Sequence, residues 1–480
     1  MRFNLLHTLI LGRFFVINLL ITVSIAAWCL LSFRVSYAEE SSSLLPAANI
    51  KVEQMTLANG MQIYVIPNHK TPAVVHMIWY RNGSRHDPAG VSGIAHFLEH
   101  LMFKGTATLK EGEFSSRIAK QGGTDNAFTA YDYTAYFQKI AVDTLPMVME
   151  MEADRMQHLR LQPELVDKER QVILEERSMR VDNDPKELLD EQLYAALFVN
   201  HPYGRPVIGW RHEMEQLSLS DALQYYRHYY VPNNAFVVIA GDVTLAKIKP
   251  LIEKYYKPIP KRPIATTRTI SEPTPIAARM IHYVDKRTER PLWRRYYAIP
   301  SLQQPERDGI ALMILSYLLG AEGTGTLYEE LVLKQKLADH VEVDYDVMSN
   351  PHVFAIEILP KKSVDFQRIE HALDQIIHQI QKDHINRDAF KRAKYLFRAE
   401  AIFARDGFQT LAFVLGHALA MNLPLSYVTH WDHHVQNVSL HDVQKALITV
   451  FQPEHSVTGY LTAVPAKHSP PSLSSLKGQP

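Results

Sequence analysis

The segment "SLSDALQYYRHYYVPNN" beginning at Ser218 returns 221 residues later as "SLHDVQKALITVFQPEH" beginning at Ser439. Ser218, Leu219, Asp221 and Pro232 recur as Ser439, Leu440, Asp442 and Pro453, and Tyr230 is answered by Phe451. Each copy reads as a helix capped by serine, then an X-Pro break, then a strand, "AFVVIAG" in the first and "SVTGYLTAV" in the second. A duplicated α/β unit is the economical explanation. It agrees with the length, because 480 residues exceed one ordinary core and suit two domains of roughly 200 residues.

The join between the copies falls in "KPIPKRPIATTRTISEPTPIAAR", residues 257–279, rich in Pro and Thr and without periodicity. The expected layout is a first domain over 45–258, a linker over 259–279, a second domain over 280–468 and a tail over 469–480. Lys plus Arg and Asp plus Glu both number 51, so no net field draws in nucleic acid. Residues 14–33, "FFVINLLITVSIAAWCLLSF", carry no charge, follow Arg2 and Arg13, and lead to "VSYA". This predicts that residues 1–38 are a secretory signal cut after Ala38, or an uncleaved anchor; either exports the rest, to the periplasm of a Gram-negative cell. Cys29, the only cysteine, lies in that run. After cleavage no thiol remains, so any metal must be held by histidine and carboxylate.

In "GIAHFLEHLMFKGT", residues 93–106, Ile94, Phe97, Leu98, Leu101 and Met102 form the apolar stripe of a helix. His96, Glu99 and His100 point the other way, as a solvated face would. The two histidines, four apart, also suit convergence on one ion, with Glu99 on the adjacent edge. The first copy alone has this option: a looser match to "DGIALMILSYLLG", residues 308–320, puts Ala311, Ile314 and Leu315 at those positions. A second segment, "LVDKERQVILEERSM" at 165–179, places Leu165, Glu169, Val172, Ile173 and Glu176 on one stripe. Two carboxylates on a buried face demand a counter-charge, either a metal or an Arg or Lys.

"HFLEH", followed 76 residues after its second histidine by the last glutamate position of "ERQVILEE", resembles the inverted zinc-peptidase signature of the pitrilysin family, which includes insulin-degrading enzyme and the mitochondrial processing peptidases. The likeness continues through "GGTDNAFTAYDYTAYF", "HPYGRPVIG" and "YYVPNNAFVVIAGDV" and spans about residues 50–465. It implies an α+β fold, two homologous α/β sandwich domains with antiparallel-rich sheets covered by helices, forming half of a clamshell. It further implies one zinc ion on His96, His100 and Glu176, Glu99 as the base, and Glu169 as a second carboxylate important for activity. "DNAFTAYDYTAYF", 125–137, alternates as a strand. The resemblance puts that strand at a sheet edge, where Asn126, Ala127, Phe128 and Thr129 would meet an extended peptide by strand addition. "HPYGRPVIGW" reads as a structural loop, and the four histidines of "HWDHHVQNVSLHD" lack a paired ligand face.

Many relatives carry an arginine and a tyrosine in the second half that grip substrate. Here those positions hold Thr326 and Asp339. Three readings follow: the metal-bearing subunit of a heterodimer whose partner supplies Arg and Tyr, a self-sufficient homodimer in which a residue such as Tyr345 substitutes, or a non-catalytic assembly protein.

Overall fold

Both expected serine caps form, each as a reciprocal capping box. The Ser218 and Ser439 hydroxyls accept from the amides of Asp221 and Asp442, whose carboxylates accept in return from the serine amides at 2.9 and 2.7 Å. The computed structural model describes residues 50–264, 270–299, 301–362, 364–404 and 407–463. The expected leader, 1–38, and tail, 469–480, lie outside the described residues.

The strands are β1 (Glu53–Thr56), β2 (Gln62–Pro67), β3 (Ala73–Tyr80), β4 (Thr124–Thr129), β5 (Thr134–Ala141), β6 (Ala235–Gly241), β7 (Arg279–Val284), β8 (Leu292–Ile299), β9 (Ala338–Asp346), β10 (His352–Pro360) and β11 (Ser456–Thr462). Helices of eight residues or more are numbered α1 (Ile94–Leu101), α2 (Glu113–Lys120), α3 (Leu145–His158), α4 (Pro163–Arg177), α5 (Pro185–Leu197), α6 (Leu219–Tyr229), α7 (Leu245–Tyr255), α8 (Pro305–Gly320), α9 (Phe366–Asp383), α10 (Arg387–Ala404), α11 (Phe408–Ala420) and α12 (Leu440–Val450).

Two mixed, mainly antiparallel sheets result, in the orders β1-β2-β6-β3-β5-β4 and β7-β11-β8-β10-β9. Among the described residues, only β2 with β6 and β7 with β11 run parallel. Apart from β1, the orders superimpose strand for strand. The match extends to the helices: α1 packs on α4, α6 and β4, and α8 packs on α10, α12 and β9. Ala311, Ile314 and Leu315 of α8, at the positions of His96, Glu99 and His100, are buried apolar side chains.

Alternation along β3 divides the first sheet into two faces. Val74, Ile78 and Tyr80 join a core with Phe97 and Leu98 of α1, while Val75, Met77 and Trp79 join another that includes Leu411 and Leu415 of α11. The second sheet reciprocates, since Leu292, Tyr296, Val457 and Leu461 pack on Leu189, Leu193 and Leu197 of α5. Each half therefore lends one helix to the other's sheet. Glycine permits both approaches: a Cβ on Gly416 of α11 would meet the Trp79 ring at 2.1 Å, and one on Gly459 of β11 would meet Leu189 and Leu193 methyls at 3.0 Å.

The alternating run 125–137 is a hairpin, not one strand. β4 ends at Thr129 and β5 begins at Thr134, paired in antiparallel register. The turn is held from a distance, because buried Asp132 accepts from Tyr203 Oη at 2.8 Å and pairs with Arg85 at 3.1 Å. Tyr203 lies in the "HPYGRPVIGW" loop, which is structural as expected. Among the described residues, no helix is long and apolar enough to cross a membrane.

Candidate metal centre

The apolar stripe fixes α1 as the periodicity predicts, with Ile94, Phe97, Leu98, Leu101 and Met102 all buried. At its start, the Asp87 carboxylate accepts from the amides of Gly93 (2.7 Å) and Ala95 (3.2 Å) and so satisfies donors at the helix N-terminus. The opposite face is not solvated. His96 and Glu99 are each 7% exposed, covered by α4 and the β4–β5 hairpin.

On α4 the buried positions are Val166, Glu169, Ile173, Leu174 and Arg177. Val172, expected on the buried stripe, is 45% exposed. The stripe is rotated because Arg177, anchored on Glu191 and on the Gly209 carbonyl, occupies the inner face. Glu169 is buried and Glu176 lies at the margin.

His96 Nε2 and His100 Nε2 stand 3.5 and 3.3 Å from one oxygen, Glu176 Oε2. Their ligand atoms all lie within 4.8 Å of one another, the one such grouping of metal-binding side chains among the described residues. A four-coordinate ion with bonds of about 2.1 Å holds its ligand atoms about 3.4 Å apart, so the two nitrogen-to-oxygen spacings fit zinc. Two nitrogens and one carboxylate oxygen leave a fourth position open.

Both carboxylates also find cations, the other expectation from their burial. Glu169 Oε1 accepts from His100 Nδ1 at 2.9 Å, and Oε2 pairs with Lys104 Nζ at 2.6 Å. Glu176 Oε1 accepts from Arg180 Nη1 at 2.6 Å. Buried charge alone therefore does not demand a metal. What points to a metal is the pair of imidazole nitrogens aimed at a single carboxylate oxygen.

Electrostatics distinguish the groups. Burial pushes Glu99 up to about 7, against the His100 charge and the Thr129 hydroxyl, which donates to Glu99 Oε2 at 2.6 Å. Burial, assisted by the His100 charge, brings His96 down to about 3. Burial would also lower His100, but hydrogen bonds to Glu169 and Glu176 outweigh it and hold it up to about 10. Glu176 falls to about 2, because the His100 hydrogen bond, His96 and Arg180 overcome its burial.

Of the expected peptide-contacting residues, Asn126, Ala127, Phe128 and Thr129 all lie on β4, an edge strand of the first sheet. Ala127 is buried toward α1, while Phe128 packs on Trp79 and Phe413. Sequence reasoning did not single out Lys104, Arg180 or Asp87. The spacing of Arg180, four residues after Glu176, was an available signal.

Comparison with known proteins agrees with this geometry. Residues 63–210 match the insulinase family (peptidase family M16), and residues 216–396 match the M16 inactive domain. The zinc protease PqqE of Helicobacter pylori is 30% identical over 418 residues, 86% of this chain and 93% of that protein. A crystal structure of a protease from Helicobacter pylori superimposes with a TM-score of 0.81 at 29% identity, covering 86% of this chain and 99% of the other. The periplasmic protease PqqL of Escherichia coli shares the fold at 18% identity and a TM-score of 0.73, over 88% of this chain and 48% of PqqL. The chain belongs to the M16 (insulinase) peptidase family.

Proposed function

We propose that the chain is a zinc-dependent endopeptidase acting on peptides or unfolded polypeptides, and that it is the metal-bearing subunit of a heterodimer. The observation that carries this reading is the convergence of His96, His100 and Glu176 beside buried Glu99 at a sheet edge. The first half, 45–258, is then the peptidase domain, joined by 259–279 to an inactive homologue over 280–468.

His96, His100 and Glu176 would hold one zinc ion, which when bound would polarise the attacking water and the scissile carbonyl. Glu99, poised near neutrality, accepts the water's proton and passes it to the leaving amine. The Thr129 hydroxyl fixes the Glu99 carboxylate, and Glu169 fixes the His100 ring through Nδ1. An extended substrate adds to β4 along Asn126–Thr129. Because the Ala127 and Phe128 side chains face inward, recognition there runs through the backbone and tolerates many sequences.

Thr326 and Asp339 support a second chain. Thr326 donates to the Leu318 carbonyl, and Asp339 pairs with Arg290. Neither supplies a cationic or phenolic donor, which a homologous partner bearing Arg and Tyr would bring. The match to about half of PqqL favours such pairing. A homodimer relying on Tyr345 is the second reading, although that hydroxyl already lies 3.1 Å from His352 Nδ1. A non-catalytic assembly role would leave the intact set of Glu99, Glu169 and the three ligand residues without a use. The uncharged apolar run over 14–33 supports reading 1–38 as a leader for export to the periplasm, with a mature N-terminus at Glu39 or an inner-membrane anchor.

Metal analysis and an unstructured-peptide assay, run on the chain alone and with an Arg/Tyr-bearing homologue, test the proposal. One zinc per chain, lost when His96 and His100 are both replaced by Ala, is expected. Retained zinc in that variant would refute the site. Full activity without the homologue would replace the heterodimer by the homodimer.

A further inference from the structure

Resting on the zinc-site reading above, we infer that Arg180 is a positioning residue that withholds one oxygen of Glu176 from the metal and thereby keeps the fourth coordination position open. Glu176 divides its two oxygens. Oε2 faces His96 and His100, while Oε1 is taken by Arg180 Nη1 at 2.6 Å. A carboxylate with both oxygens free can bind an ion through both, and the second contact would add a fifth ligand that crowds the place water or substrate takes.

The backbone delivers Arg180 by an unusual route. After α4 the chain widens into a π-helical turn, Ser178–Asp182, closed by the Asn183 amide donating to the Ser178 carbonyl at 3.1 Å. The turn is pinned at both ends. Buried Arg177 donates to the Gly209 carbonyl at 2.7 Å and to Glu191 at 2.8 Å, and it pairs with Asp182 at 3.2 Å. Arg211 takes the other Asp182 oxygen at 2.5 Å and donates to the Ser178 hydroxyl at 3.1 Å. Asp182, the nearby acid that could compete for Arg180, is thus already held by two other guanidiniums. Arg180 turns back four residues to Glu176 instead.

The pair differs from an ordinary exposed i, i+4 helix pair. The Glu176 side chain is only 18% exposed against 40% for Arg180, so the carboxylate is the fixed partner and its outer oxygen has a defined donor. A second cation repeats the device one helical repeat earlier, where Lys104 holds the Glu169 oxygen that His100 does not use. Each carboxylate therefore shows one oxygen to a histidine and the other to a cation.

Cobalt(II) replacing zinc in the full chain tests this directly, because four-coordinate cobalt absorbs visible light more strongly than five- or six-coordinate cobalt. Arg180→Ala is expected to bind one cobalt per chain with the visible bands weakened by roughly half or more, and Arg180→Lys to restore most of the intensity. Melting of the metal-free chain, followed in parallel, should change little in either variant. An Arg180→Ala spectrum superimposable on that of the unsubstituted chain would overturn the inference, as would a lowered melting temperature with an unaltered spectrum, which marks a merely structural pair. If the unsubstituted chain binds cobalt no better than the His96→Ala/His100→Ala variant, the zinc-site reading itself fails, a distinct result.

Discussion

Replacing Glu169 by Gln should change the number of protons released when zinc binds. In the metal-free chain His100 is held up to about 10, with burial outweighed first by the hydrogen bond to Glu169 and then by that to Glu176. At pH 7.5 the imidazolium form therefore dominates by roughly 300-fold, and its removal costs about 3 kcal/mol at 1.36 kcal/mol per pH unit. His96 and Glu176, at about 3 and about 2, are already in their ligating forms. Zinc uptake at pH 7.5 should thus release the proton of His100, over and above any given up by the zinc-bound water. The sign follows from the raised value: protonated His100 competes with the metal, so apparent affinity rises with pH until that proton is lost near pH 10. Gln at 169 still accepts from Nδ1 but has no charge and no longer attracts Lys104. The metal-free His100 then loses one of the carboxylate charges that hold it up, so the pH at which proton release is half lost should move down from about 10. Titration calorimetry in two buffers of different ionisation enthalpy gives the proton count as a slope. Equal slopes for the two proteins at every pH from 7.5 to about 10, or no proton release from the unsubstituted chain, would refute the reasoning. Affinity alone would mislead, because the same carboxylate favours both the protonated and the metal-ligated ring.

Glu99→Gln should keep zinc and lose peptide hydrolysis by about 10²-fold to 10⁴-fold, since the amide keeps the size and cannot take the proton; an active variant would remove Glu99 from the base role. Thr129→Val should leave metal content unchanged and lower kcat by about tenfold, because a lone 2.6 Å donor to Glu99 is lost; a change confined to KM would assign Thr129 to substrate binding alone. Gly416→Ala should destabilise by about 1–3 kcal/mol, because its Cβ would sit 2.1 Å from the Trp79 ring. Gly459→Ala, meeting only leucine methyls at 3.0 Å, should cost less. Thermal melts showing the reverse order would contradict the packing account.

The parts of this fold readable from the chain are those set by local chemistry. The capping boxes at Ser218 and Ser439 and the stripe of α1 need only neighbours a few residues away, and both form. His96 and His100 were legible for the same reason, being one helical turn apart. Glu176 became legible only when its own helix was read beside the first. What escaped depends on contacts distant in sequence. Alternation runs through 125–137 without Gly or Pro, and the turn between β4 and β5 exists because Asp132 is captured by Arg85 and Tyr203, 47 residues before it and 71 after it. Val172 turns outward because Arg177 is drawn inward by Glu191 and Gly209.

The exchange of α5 and α11 was hidden for a further reason. An apolar helix shows which face it buries and not whose sheet receives it, and only the facing surfaces decide. Gly416 against Trp79 and Gly459 against Leu189 and Leu193 are those surfaces. The exchange bears on the candidate site through Phe128 of β4, which packs on Trp79 and on Phe413 of α11. Among the described residues the second half contributes nothing to the proposed metal site, yet its helix supports the strand proposed to receive the peptide. Its retention beside the half proposed to bind the metal thus has a physical reason, because without α11 the outer face of β3–β5–β4 would lose its cover and the strand edge next to Glu99 would lose its support.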